Sequence, residues 1–317
     1  MRYCYGIDIG GTTIKMGWFN EGGELLEKWE VESRIENNGS LILPDITESI
    51  KDHMKQNTLA VKDIVGIGVG VPGPVNNEGV VLTTANLGWG RKDVVKEFQE
   101  LLPVPVKVGN DANMAALGEM SAGGGVGHKN IILITLGTGV GGGIIIDGHA
   151  VVGHHGSAGE IGHMTVNKAE TKVCGCGRKG CLEQYASATG IKRLAKRRLE
   201  QDTKDSLLRQ ETDLNAKVVF DSLKKGDSVA KEIVEEFATY LGEAIANIVI
   251  VTDPSMVVLG GGVSKAGDIL IEYVKKHFEE VAFYANKGTH FGLATLGNDA
   301  GIYGCAELIL GKEPTIK

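Results

Sequence analysis

Proline is scarce in this chain, with seven among 317 residues, and aromatic residues make up only 5%. The low proline count, with glycines that follow no period of three, excludes a collagen-like or disordered chain. Apolar runs are short, as at Ile131 to Ile134 and Ile248 to Val251, far below the ~18 residues that suggest a membrane span. No membrane association is therefore expected. The opening MRYCYGIDIG has no apolar stretch of signal-peptide length before its acidic residue, so a cytoplasmic location is expected. Positive charge is in deficit too: 33 Lys and Arg face 40 Asp and Glu, a formal charge of −7. Such a chain has no long-range attraction for nucleic acid or anionic ligands, and any polyanion must be held by local groups.

What is abundant is glycine, 46 residues, roughly twice the usual ~7%. At about 150 residues per domain the length suggests two domains, and 42% hydrophobic with 23% charged residues is ordinary for a globular protein. Between residues 191 and 259 the only glycines are Gly226 and Gly242. There Val229, Ile233, Phe237, Leu241, Ile245 and Val249 recur at every fourth position, an apolar stripe of helical period. Elsewhere glycines cluster after apparent strands: Gly10-Gly11, Gly137 to Gly143, Gly175 to Gly180 among cysteines, and Gly260 to Gly262. Residues 3–8, 14–19 and 24–33 read as strands, followed by a helix over 41–56, a strand over 64–71, a helix over 92–102, a strand over 104–108 and a helix from about Asp111. The second half restarts in the same way, with a strand over 131–136, a glycine turn over 137–143 and a returning strand over 144–147. Two halves that each open with strand, glycine turn, strand predict a duplicated α/β fold with a cleft between the copies. The boundary is expected near Gly123 to Gly127, giving domains 1–122 and 123–301, with 302–317 packing back onto the first.

Asp8, Gly10, Gly11, Thr12 and Thr13 form a hairpin in which consecutive backbone N–H groups can converge on an anion, while Asp8 is suited to Mg²⁺ or its water. An ordinary glycine hairpin with a polar Asp fits that turn equally well. The stretch Gly137, Thr138, Gly139 to Gly143 leads into a strand, whereas a dinucleotide fingerprint must open a helix, so a Rossmann reading is rejected. No P-loop motif occurs. With Gly260, Gly261 and Gly262 before a further helix, the three glycine turns are consistent with a nucleotide held between two domains. Together with LGGGVSKAGD, they resemble the phosphate and adenosine motifs of the actin-like (ribonuclease H-like) ATPase superfamily.

His163, Cys174, Cys176 and Cys181 supply a closed tetrahedral zinc set, with Cys-x-Cys-x4-Cys wrapping one ion. Four protein ligands leave no open position, which makes the ion structural. Glu160 and Glu183 flank these ligands, so ligation brings two carboxylates from distant segments to one place. Such a pair suits the hydroxyls of a polyol, a glycosidase pair, or two surface acids. Asn110-Asp111, between a strand and a helix, fits both a helix N-cap and a proton acceptor.

Glu160-Ile161-Gly162-His163, the three-cysteine segment ending in Glu183, and Asn110-Asp111-Ala112 are similar to the ROK family (repressors, open reading frames, sugar kinases) and, among its members, to bacterial glucokinases. The match runs from Asp8 to Asp268. The resemblance implies two actin-like domains and transfer from ATP with Mg²⁺ to the 6-hydroxyl of glucose or a related hexose. It makes Asp111 the general base and Asn86, Asn110, Asp111, Glu160, His163 and Glu183 the sugar ligands. Asp8, Thr12 and Thr138 would face the phosphates, zinc would sit in the cysteine loop, and a homodimer is expected. Competing readings are a kinase for another hexose or an N-acetylated aminosugar such as N-acetylmannosamine, a sugar-independent ATPase or chaperone, and a sugar-responsive repressor. With the first strand at about residue 3, no helix-turn-helix module is expected ahead of it. The basic run Lys192 to Arg198 reads as a solvated helix face, so nucleic acid is not an expected partner.

Overall fold

The computed structural model describes residues 2–84 and 86–311. The chain opens with the antiparallel strands β1 (Tyr3–Ile9), β2 (Thr13–Asn20) and β3 (Leu25–Glu32), then a helical turn α1 (Glu36–Gly39) and helix α2 (Ile42–Gln56). Strand β4 (Ile64–Val71), the short strands β5 (Val80–Val81) and β6 (Lys92–Asp93), helix α3 (Val94–Leu101), strand β7 (Val106–Asn110) and helix α4 (Asp111–Ala122) follow. The first sheet has the order β3-β2-β1-β4-β7, with β4 and β7 added in parallel. The expected helix over 92–102 starts later, because Lys92 and Asp93 pair with Val81 and Val80. Asp93 instead caps α3 by accepting from the Lys96 amide.

The second half comprises β8 (Ile131–Leu136), β9 (Val140–Ile146), β10 (His149–Ala150), α5 (Glu183–Ala186), α6 (Ala188–Gln201), α7 (Ala216–Lys224), α8 (Ser228–Thr252), β11 (Met256–Gly260), α9 (Asp268–Val281), β12 (His290–Leu293) and α10 (Ala300–Leu310). Its sheet order is β10-β9-β8-β11-β12, with β8, β11 and β12 parallel. Strand β9 begins at Val140, four residues before the expected start. Gly141 to Gly143 are therefore strand residues, and the turn proper is Gly137 to Gly139. The glycines serve close packing: a Cβ on Gly143 would lie 2.5 Å from the Ala116 Cβ and 2.8 Å from the Ala112 carbonyl oxygen of α4. The last glycine cluster also differs, since a 3₁₀ turn (Gly262–Ala266) separates it from α9.

The chain divides into two compact units, one of Met1–Gly127, Gly143–Gly159 and Leu296–Lys317, the other of His128–Gly142 and Glu160–Thr295. In the first, Ile7, Ile9, Val69 and Val71 pack with Ile46, Ile50 and Phe98 of α2 and α3. Helix α10 supplies Ile302, Ala306 and Ile309 against Cys4 and Phe19 of the same sheet. Residues 312–317 of the expected returning segment lie outside the described residues. In the second unit α8 is the central helix, its Ile233, Phe237, Leu241 and Ile245 buried as their spacing requires. Among the described residues no helix is long and apolar enough to cross a membrane.

Candidate active site

In the first unit the β1–β2 turn closes with the Gly10 amide donating to the Thr13 carbonyl at 3.1 Å. Asn86 lies beside this turn, its Cβ 3.2 Å from where a Cβ on Gly11 would stand. Asp8, on the strand leading in, is half-buried, and its carboxylate rests on the first turn of α10: a Cβ on Gly301 would come within 2.3 Å of Oδ2. Burial, then the charge of Asp111, raises the Asp8 carboxyl to about 6 against an opposing pull from Lys15. A pair of carboxylates held this way has a deficit of positive charge, which a divalent cation would correct.

Asn110 ends β7 and caps α4, its Oδ1 accepting from the Ala112 and Asn113 amides at 3.0 and 3.2 Å. Its Nδ2 donates to the Gly73 carbonyl at 3.0 Å, tying the Val71-Pro72-Gly73-Pro74 turn to the head of the helix. The cap is thus Asn110, which leaves Asp111 as the first helical residue, one carboxylate oxygen accepting from the Ala112 amide at 2.8 Å.

In the second unit His163, Cys174, Cys176 and Cys181 bring their ligand atoms within 4.8 Å of one another. Cys176 and Cys181 sulfurs are 3.6 Å apart, and Cys174 Sγ is 3.9 Å from His163 Nδ1. Edges of a tetrahedral zinc site with these donors measure about 3.7 Å, so the four residues fit zinc. Burial raises the Cys174 thiol and pushes that of Cys181 up to about 12, whereas the backbone N–H of Arg178, followed by its side chain, draws exposed Cys176 down to about 6. The loop closes tightly. Gln184 Oε1 accepts from the Gly180 and Cys181 amides at 2.9 and 3.1 Å, and Arg178 donates to the His163 carbonyl.

Glu183, two residues beyond Cys181, has Oε1 3.6 Å from Cys174 Sγ, while Oε2 accepts from the Val140 amide at 3.2 Å. The cysteine loop and the start of β9, directly after the Gly137–Gly139 turn, are therefore joined by one carboxylate. A cavity of about 150 Å³ is lined by Thr138, Cys174, Glu183, Thr189 and Arg193 among others. Gly261, with φ +82°, lies against the end of β8, where a Cβ would stand 2.6 Å from the Leu136 carbonyl oxygen. The two glycine clusters of this unit thus converge. Glu160 is exposed, and its carbonyl accepts from the His163 amide at 3.1 Å. A larger cavity of about 500 Å³, between β3 and α2, contains none of the expected site residues.

The sequence matches the ROK family over residues 4–312. The chain belongs to the ROK family. This ROK chain is 42% identical over 322 residues to the glucokinase of Halalkalibacterium halodurans, covering 100% of itself and 97% of that relative. A ROK family glucokinase from Streptomyces griseus, solved in complex with glucose and AMPPNP, is 33% identical with a TM-score of 0.71, covering 96% of this chain and 98% of its own. The ROK hexokinase from Thermus thermophilus is 29% identical with a TM-score of 0.78, covering 96% of each chain. The mixed α/β fold described above is that of the ROK kinases.

Sequence reasoning missed the supports around these ROK motifs. Lys15, opposite Asp8 in the β1–β2 register, is the cation beside it. Glu170 anchors the cysteine loop, with Oε2 accepting from Tyr185 Oη at 2.5 Å and from Arg193 at 2.6 Å. Although desolvation acts against it, these bonds and the Lys172 amide lower the Glu170 carboxyl to about 2. No motif announces such residues, since each works through partners distant in sequence.

Proposed function

We propose that this chain is an ATP-dependent glucokinase that forms glucose 6-phosphate. The observation that carries the reading is Glu183, which links the Cys₃His cluster to the amide of Val140, the strand residue that directly follows the Gly137–Gly139 turn. An ATPase indifferent to sugar has no need of that link. Full-length similarity to a glucokinase supports the same choice.

In this reading the fold is two actin-like domains, 1–122 with the C-terminal helix and 123–301, that close on substrate. Asp111 accepts the proton of the glucose 6-hydroxyl as O6 bonds to the γ-phosphorus and the bond to the β,γ-bridging oxygen breaks, releasing ADP. Asn86, Asn110, Glu160, His163 and Glu183 orient the sugar hydroxyls. The turns Gly10 to Thr13, Gly137 to Gly139 and Gly260 to Gly262 hold the nucleotide through backbone N–H groups. Asp8 holds Mg²⁺, which when bound neutralises charge on the phosphates. Zinc, held by His163, Cys174, Cys176 and Cys181, is structural and fixes the loop that presents Glu183. Closure excludes water from the transfer. The working form is a cytoplasmic homodimer.

A panel of hexoses and N-acetylated aminosugars assayed with ATP and Mg²⁺ tests the proposal. The highest kcat/KM is expected for glucose. A higher value for N-acetylmannosamine would overturn the glucose assignment.

A further inference from the structure

Glu119 lies near the end of α4 with 1% exposure and plays no part in the mechanism above. Its carboxylate holds two separate stretches of backbone. Oε2 accepts from the Gly124 amide at 2.8 Å, and Oε1 accepts from the Leu296 amide at 2.9 Å, 177 residues away. Its main-chain carbonyl accepts from the Gly123 and Gly125 amides at 3.1 and 2.8 Å. A Cβ at position 123 would stand 2.1 Å from Oε2, so any larger residue there would push against the carboxylate. Both stretches lie beside points where the chain passes between its compact units, at Gly127 to His128 and at Thr295 to Leu296.

The same helix begins with Asp111, eight residues earlier, about 12 Å along its axis. From Leu296 the chain runs through a 3₁₀ turn (Gly297–Asp299) into α10, whose Gly301 lies against Asp8. We propose that Glu119 is a positioning residue for phosphoryl transfer: it pins two chain crossings to the helix that presents Asp111, so that closure pivots about fixed points and aligns the base. The proposal rests on the kinase reading above. Hydrogen bonds to a buried carboxylate are strong and directional, and losing one leaves a half-buried N–H without its carboxylate partner. Gln in place of Glu keeps the shape but replaces one accepting oxygen with a donor, so one pinned amide loses its partner.

The test compares wild type with Glu119→Gln in three measurements: kcat and glucose KM, the ratio of ADP to glucose 6-phosphate formed, and the change in radius of gyration on adding glucose. For folded Glu119→Gln, kcat is expected to fall roughly tenfold or more, with glucose KM changed less than kcat. ADP should exceed glucose 6-phosphate, and the glucose-induced compaction should shrink. A merely structural role would lower the folded fraction and leave KM, the product ratio and the compaction of the remaining enzyme unchanged, which would overturn the proposal. Should Glu119→Gln not fold, Leu296→Pro carries the test, because φ −78° at Leu296 accommodates proline and the substitution removes the donor to Oε1, with Leu296→Ala as the control for loss of the half-buried side chain. Wild-type behaviour of that variant would likewise overturn the role of Glu119. No glucose-dependent turnover in wild type would instead overturn the kinase reading.

Discussion

The Glu183 carboxylate accepts a hydrogen bond from the Val140 amide at 3.2 Å, and a Cβ on Gly139 would stand 2.1 Å from the same oxygen. A residue expected to read sugar hydroxyls is thereby fixed to the turn expected to hold phosphate. Glu183→Gln is expected to lower kcat/KM for glucose roughly ten- to hundredfold, the range for losing a charge-assisted hydrogen bond. Gly139→Ala, which displaces the carboxylate by collision, should raise the KM for glucose and for ATP together. Steady-state kinetics with each substrate varied in turn decide this, and a change confined to ATP would separate Glu183 from the sugar.

Asp111 is the first residue of α4, while Asn110 does the capping. Asp111→Asn therefore leaves the cap in place while removing a proton acceptor and the charge beside Asp8. Turnover should fall ~10²- to 10⁴-fold with glucose binding by calorimetry little altered. Near-normal turnover would exclude Asp111 as the base.

Asp8 gives a pH signature. Burial and the neighbouring Asp111 raise its carboxyl from 3.8 to about 6, so the folded state binds this proton more tightly than the unfolded state. The resulting stability is present below pH 3.8, lost as pH rises through about 6, and absent above it. Asp8→Asn, which never ionises, should be more stable than wild type at pH 7.5 by up to about 3 kcal/mol, with the advantage shrinking at pH 5. Thermal unfolding without Mg²⁺ or nucleotide reads this, and the same variant should lose activity. An advantage independent of pH would mean that the Asp8 charge is not its source.

Gly180 governs the metal loop. It has φ +74°, and a Cβ would stand 1.9 Å from the Asn167 carbonyl oxygen, so Gly180→Ala must open the loop that carries Cys181. A loss of about 1–3 kcal/mol and of bound zinc is expected, measured by thermal unfolding and elemental analysis, with wild type holding one zinc per chain. Full activity in wild type with less than stoichiometric zinc would remove the ion from the account.

The parts legible in the sequence are those in which neighbours along the chain are neighbours in space. Cys174, Cys176 and Cys181 lie within eight residues and His163 eleven before the first of them, so their grouping follows from spacing. The fourth-position stripe of α8 follows from the helical period of 3.6. Illegible were relationships made by the fold. The clamp from Glu119 to Leu296 spans 177 residues, and Gly301 meets Asp8 only because α10 returns to the first sheet. The start of β9 is hidden because Gly141 to Gly143 look like a turn, whereas in the fold the missing side chains of Gly141 and Gly143 admit Thr135 of β8 and helix α4.

The measurement closest to the central claim is the yield of glucose 6-phosphate per ADP from purified chain supplied with ATP and Mg²⁺, with and without glucose. The account predicts negligible ADP without glucose and one glucose 6-phosphate for each ADP with it. ADP released at the same rate whether or not glucose is present would contradict it.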